Sequence, residues 1–204
     1  MNKTVPTKAE MTQFEPFVGL TLDHIHVPAS GADFVFAHNE IMAAGFVGFD
    51  TESKPTFEVG EVSDGPHLVQ FALLDRAYLF QLHQKEGHSF LAALLQSEKL
   101  IKIGFGLKSD RAHIFAKLGI RLRGVVDLNT VFSMDGYQKE MGVRNAVGLV
   151  FSQRFAKPRK VTTSNWSQHE LTSQQKLYAA NDAYAALKVL EALARPLDSL
   201  PVTN

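Results

Sequence analysis

The stretch Phe46-Val47-Gly48-Phe49-Asp50-Thr51-Glu52 decides how this chain is read. Phe46 to Phe49 is a compact apolar run, which suits a central strand. Two carboxylates follow, and side chains two apart on a strand share a face, so Asp50 and Glu52 point the same way. Acids packed this closely beside apolar residues repel each other unless something cationic sits between them. Hard oxygen ligands suit magnesium and manganese. Taken alone, the pair also fits two exposed acids at a strand end.

Around this run the chain alternates between strand and helix patterns. Residues 20–27 carry apolar side chains at about every second position and predict a strand, broken by Pro28-Ala29-Ser30-Gly31. Residues 33–44 predict a short helix ended by Gly45. Residues 68–74 and 77–82 read as two strands of a hairpin turning at Asp75-Arg76. Helices are expected over 89–95, 110–118, 128–134 and 143–155, and strands over 100–105 and 124–127. Residues 157–164 read as a loop. Residues 171–194 predict a long helix with Thr172 as N-cap, closed before Pro196. Strands lead, strands and helices alternate, and helices finish. That order predicts an α/β fold, with a mixed sheet of five to six strands flanked by helices on both faces. Residues 1–18 read as a loose leader, 19–195 as a single domain and 196–204 as a tail.

Composition narrows the function classes. The 204 residues suffice for one sizeable core. With 45% apolar and 21% charged residues, the chain is not of the disordered class. No apolar run approaches the ~18 to 20 residues of a membrane helix, and the N-terminus shows no apolar signal region. The absence of cysteine excludes a disulfide scaffold and a thiolate zinc site. A cytoplasmic location is expected, with no membrane and no obligate protein partner evident. Lys plus Arg and Asp plus Glu are equal at 21 each. Non-specific coating of nucleic acid needs a basic protein, so any nucleic acid must be held locally, with help from metal ions.

Other residues carry chemistry. Asp110 opens a helix just after a strand, where an acid also complements the helix dipole. Tyr178 and Asp182 lie four apart and share one helix face. Their neighbours Ala179, Ala180 and Ala183 are small enough for close approach. Asp is a poor residue for mid-helix, so Asp182 calls for a reason beyond propensity. A metal would supply one, and the Tyr178 phenol could then orient or deprotonate a water. The alternative is a buried Tyr with a satisfied hydroxyl.

F-D-T-E on a strand, G-F-G-L-K-S-D at a strand-to-helix turn and Y-A-A-N-D on a late helix occur in this order. Together they resemble the DEDDy branch of the DEDD 3′-5′ exonucleases, which includes ribonuclease D and the exonuclease domain of the Werner syndrome helicase. Ser164-Asn165-Trp166-Ser167, Leu171-Thr172 and Gln175-Lys176-Leu177-Tyr178-Ala179-Ala180 look most like the Werner type. The resemblance spans about residues 20–193. It implies a ribonuclease H-like fold and a 3′-5′ exonuclease that releases nucleoside 5′-monophosphates from a 3′ end. It also implies that Asp50, Glu52, Asp110 and Asp182 hold two divalent cations, Mg2+ or Mn2+, and that Tyr178 positions the attacking water. Two such ions ~3.5 to 4 Å apart can activate water and steady the leaving oxygen. Four carboxylates against two divalent ions leave the site near neutrality, so a phosphodiester can enter. The implied partner is single-stranded or 3′-recessed nucleic acid, DNA or RNA. His169 and Glu170 depart from the ribonuclease D pattern, which has an Arg-Pro pair there. No helical accessory domain fits in the remaining residues, so a free-standing nuclease domain is expected.

Three substrate contacts are candidates. Thr51 faces away from Asp50 and Glu52 on an ideal strand, but its backbone lies beside them. Phe105 could stack on a base or pack in the core. Lys160 belongs to a basic cluster with Lys157, Arg159 and Arg154 that could hold the phosphate backbone or simply be solvated. Trp166 is expected to anchor the loop before the last helix, and Asp127 to cap a helix rather than ligate a metal. His24 and His26 give a weak zinc signal. Two other readings stay open: an inactive nucleic-acid-binding module on the same fold, and a dimer or ring acting on very short RNA.

Overall fold

The computed structural model describes residues 4–56 and 60–204. At the N-terminal end, Thr7 and Glu10 form a capping box that opens helix α1 (Lys8–Thr12), followed by strand β1 (Glu15–Pro16). A 3-10 turn at Leu22–His24 leads to β2 (Ile25–His26), then to α2 (Gly31–Ala44), capped by Ser30 and ended at Gly45. Next come β3 (Phe46–Glu52), β4 (Leu68–Ala72), β5 (Ala77–Gln81), α3 (His88–Gln96) and β6 (Ile101–Gly104). After these follow α4 (Lys108–Leu118), β7 (Val125–Asp127), α5 (Leu128–Met134) and α6 (Gly142–Phe151). The chain ends with β8 (Gln153–Arg154), α7 (Arg159–Thr162) and α8 (Ser173–Leu193).

Six strands form one mixed sheet in the order β2-β5-β4-β3-β6-β7. β3 is antiparallel to β4, with Asp50 opposite Gln70, and parallel to β6. The pleat sorts side chains between two cores. Val47, Phe49, Val69, Phe71 and Phe80 pack against Phe34, Ala37 and Ile41 of α2, Leu91, Leu94 and Leu95 of α3, and Ile114 of α4. On the other face, Leu68, Ala72, Ala77 and Leu79 meet Ala179, Ala180 and Ala183 of α8, while Ile103 and Val126 meet α5, α6 and the later turns of α8. Helices therefore cover both faces, as the element order implied.

Three expectations are corrected. The strand over 20–27 shrinks to Ile25–His26, because Thr21 Oγ1 bonds His24 Nδ1 at 3.0 Å and the Thr21 carbonyl accepts from the His24 amide, forming a local turn instead. The helix over 143–155 stops at Phe151; Ser152 takes a left-handed conformation and turns the chain into β8, which pairs with β1. The loop over 157–164 contains a helical turn, opened after Pro158, whose fixed φ favours a helix start. Among the described residues, side chains of both end segments are packed. Phe17 packs against Phe151, Phe155 and Tyr184 at 5.7–6.2 Å, Leu200 is buried, and Thr203 bridges Val125 through two backbone hydrogen bonds of 2.9 Å.

Candidate active site

The site forms where β3 ends, and a glycine places it. A Cβ at Gly48 would stand 1.9 Å from the Ala183 carbonyl oxygen, so β3 and α8 touch backbone to backbone there. Gly48 and Asp50 share a face, and Asp182 precedes Ala183. The contact therefore carries the Asp182 carboxylate to Asp50 and Glu52. One carboxylate oxygen from each of the three lies within 4.8 Å of the others, the only such group among the described residues.

Asp110 comes from the opposite direction. It sits in the first turn of α4, on the other face of the sheet, and is buried. Thr51 points to that face, as the pleat requires, and its hydroxyl donates to Asp110 Oδ1. Thr51 thus links Asp110 to the strand that carries Asp50 and Glu52, while its amide donates to Asp50 Oδ1 at 2.9 Å. The Thr51 hydroxyl is thus engaged with Asp110, while its backbone runs beside Asp50 and Glu52. Asp110 is outside the 4.8 Å cluster but close enough to raise Asp50 and Glu52.

Electrostatics mark the cluster. Burial, then the charges of Asp182 and the other acids, push the Asp50 carboxyl well above its ordinary range. Burial and Asp182 push Glu52 up to about 8. Burial also raises Asp110, against the Thr51 hydrogen bond that lowers it. Four carboxylates in one place demand positive charge. Among the described residues one Lys answers: Lys157 Nζ lies 2.5 Å from Asp182 Oδ2 and 5.7 Å from the centre of the Tyr178 ring. One ammonium against four carboxylates leaves a deficit. The donor set, all oxygen and partly desolvated, fits a hard divalent cation.

Tyr178 is buried, one turn before Asp182, on the same face of α8. Burial and the surrounding acids push its phenol far above the ordinary value. Trp166, itself buried, packs on Tyr178 at 6.0 Å and donates to the Thr162 carbonyl, so it anchors the loop as expected. Gln175 completes the capping box with Thr172 and bonds Ser164 Oγ and the Asn165 carbonyl, tying that loop to α8.

A cavity of about 330 Å³ opens on the cluster, lined by Asp50, Asp182, Lys157, Phe105, Asn129 and Glu140 among others. Phe105 reaches this cavity while its ring stacks on Phe132 at 6.5 Å, so it is both partly packed and available. Lys160 is exposed on α7, away from the cavity lining, whereas Lys157 lines it and meets Asp182. Asp127 caps α5 and accepts from the Gly106 and Leu107 amides at 3.0 Å, holding the turn before α4. His24 and His26 join no metal-binding group among the described residues. His169 stacks on His83 with ring centres 4.3 Å apart.

Sequence reasoning missed Asn181. Its side chain accepts from the Leu20 amide at 2.6 Å and donates to the Leu20 carbonyl at 3.1 Å, pinning an incoming loop to α8. It missed Gln70 too, whose buried amide has no hydrogen-bond partner among the described residues although it faces Asp50 across the strands. Gly19 offered a signal for the first, since a Cβ there would overlap the Asn181 amide.

The structure is thus a mixed α/β fold with a partly buried acid cluster where its central strand ends, faced by a helix carrying a Tyr and an Asp. The chain belongs to the 3′-5′ exonuclease family, whose model matches residues 32–198. It is 28% identical over 151 residues to a 3′-5′ exonuclease of Arabidopsis thaliana, covering 72% of this chain and 52% of that protein. It is 30% identical over 158 residues to the bifunctional 3′-5′ exonuclease/ATP-dependent helicase WRN of Mus musculus, covering 76% of this chain and 11% of that protein. The chain thus spans about half of the first relative and a small part of the second. Ribonuclease D of Trypanosoma brucei, solved in complex with RNA U12, has the same fold at a TM-score of 0.74 and 18% identity, over 96% of this chain and 67% of that one. No helix of the described residues is long and apolar enough to cross a membrane.

Proposed function

We propose that this chain hydrolyses the terminal phosphodiester bond at the 3′ end of single-stranded or 3′-recessed DNA or RNA, releasing nucleoside 5′-monophosphates. The observation that carries the reading is the meeting of Asp50, Glu52 and Asp182 within 4.8 Å in a partly desolvated cleft. With Asp110 held behind them by Thr51, they would hold two divalent cations, Mg2+ or Mn2+. When bound, such ions supply a nucleophile at neutral pH and charge stabilisation for the departing 3′ oxygen.

The chain's own residues do the rest. Burial and the charges of Asp182, Glu52 and Asp50 favour the neutral phenol of Tyr178. As a neutral phenol it would orient a water through its hydroxyl rather than remove the water's proton, beside Asp182 on the same helix face. Phe105, on the cavity wall, would pack against the terminal base. Lys157, which lines the same cavity, brings positive charge to the phosphate. Lys160 would meet the backbone further along the strand.

The test uses 5′-labelled single-stranded DNA, single-stranded RNA and a recessed duplex, with Mg2+ or Mn2+, beside Asp182→Asn. A ladder shortening from the 3′ end is expected, abolished by chelator and in the variant, with 5′-monophosphates as product. Binding of these substrates without shortening would overturn the enzyme reading in favour of the inactive binding module.

A further inference from the structure

Lys157 and a divalent cation need the same oxygen. Lys157 Nζ stands 2.5 Å from Asp182 Oδ2, and Asp182 is one of the three acids gathered within 4.8 Å. The two partners differ in freedom. Asp182 is fixed in the middle of α8, pressed on β3 by the Gly48 contact, with its carboxylate 4% exposed. Lys157 has a flexible four-carbon stem and is 28% exposed, on the short segment between β8 and α7. Its backbone is tied down by Arg144, which donates to the Lys157 carbonyl at 2.8 Å. A rigid acid thus faces a movable cation on a fixed base.

The ammonium also lowers Asp50 and Glu52, against the effect of every acid around them. It is the stand-in for missing positive charge in the metal-free protein. Its charge is too small to balance the cluster, and it cannot share Asp182 Oδ2 with an ion. When an ion takes that oxygen, Lys157 is repelled and must move. Its reach keeps it at the wall of the cavity that Asp50, Asp182 and Phe105 also line, where an entering phosphate carries the nearest free negative charge.

We infer that Lys157 is an exchangeable counterion: it holds Asp182 in the metal-free chain and transfers to the substrate phosphate when a divalent cation loads. This rests on the metal-site reading above. The consequence is coupling. Lys157 weakens cation binding to the protein alone and strengthens nucleic-acid binding to the loaded protein, so ions and substrate favour each other's entry.

The test is Mn2+ binding without nucleic acid, by calorimetry, for the native chain, Lys157→Met, Arg144→Ala and Asp182→Asn. Binding of a short phosphorothioate oligothymidylate is then measured at saturating Mn2+. Removing the competitor should tighten Mn2+ binding about 3- to 10-fold in Lys157→Met, the size expected for a partly buried ion pair. Arg144→Ala, an exposed change that leaves the charge but frees the segment, should shift it the same way by less. Lys157→Met should also bind the oligonucleotide several-fold more weakly, a pair of opposite changes that loss of packing would not give. Unchanged or weaker Mn2+ binding in both variants, with Mn2+ lost in Asp182→Asn, would overturn the counterion role while leaving the metal site standing. Tighter Mn2+ with unchanged oligonucleotide affinity would overturn the transfer to phosphate. Native Mn2+ affinity in Asp182→Asn would overturn the metal-site reading itself.

Discussion

Gly48 of β3 lies directly beneath the Ala183 carbonyl of α8, so close that a Cβ on Gly48 would stand 1.9 Å from that oxygen. This contact sets the distance between the Asp50 and Asp182 carboxylates. Because the obstacle is backbone, no rotamer change can relieve it. Gly48→Ala should push α8 off the strand and cost about 1–3 kcal/mol of stability, the usual range for overpacking. Turnover should fall more than tenfold, since misplacement of a catalytic group by about 1 Å is that damaging. Thermal melts and the 3′-end assay read the two effects. Native activity in a folded Gly48→Ala protein would show that the spacing is not set here.

Tyr178 is proposed to orient water as a neutral phenol. Tyr178→Phe should slow turnover roughly 10- to 100-fold with Mn2+ affinity nearly unchanged, the scale of a lost positioning contact. The shape of the pH–rate profile should be the same in both proteins. A limb of the native profile missing from Tyr178→Phe would mean that the phenol titrates in the reaction.

The acid cluster should make the metal-free protein sensitive to rising pH. Glu52 ionises near 4.5 when unfolded but only at about 8 in the fold. Between those values the folded chain holds the extra proton, so stability falls as pH rises. The stabilisation is fully present below about pH 4.5 and is lost through pH 8. Glu52→Gln should flatten this dependence, and Mn2+ should offset it in the native chain. Urea denaturation of chelated protein across pH 5 to pH 8 reads it, and stability that rises over that window in the native chain would contradict the arrangement.

Gln70 sits wholly buried across from Asp50, with neither end of its amide hydrogen-bonded among the described residues. Unpaired buried polar groups are expensive to keep. Gln70→Leu should therefore leave stability unchanged or raise it by about 1 kcal/mol. A clear loss of stability in denaturant melts would show that the amide is engaged after all.

Much of this molecule is legible in its sequence. The run Phe46–Glu52, the Asp75-Arg76 turn, Gly45 and the Thr172 cap are local signals, and each led to an element that is there. The spacing of Asp50 with Glu52, and of Tyr178 with Asp182, follows from strand and helix periods alone. What depended on distant partners was read less well. The pairing of β1 with β8 joins Glu15 to Gln153 and Pro16 to Arg154, far apart in the chain, and no pattern within either short segment announces it. The capping box Thr7-Glu10, by contrast, is a purely local pattern that opens α1.

The site divides in the same way. Which residues are acids, and which of them share an element face, is fixed by the sequence, because periodicity is a property of a few consecutive residues. Which acids stand within 4.8 Å, that Thr51 serves Asp110, and that Lys157 rather than Lys160 meets Asp182 are decisions of tertiary structure. The first hangs on the closeness of two backbones at Gly48 and Ala183. Contact between segments more than 130 residues apart depends on how whole faces pack, and that packing has no local period to betray it.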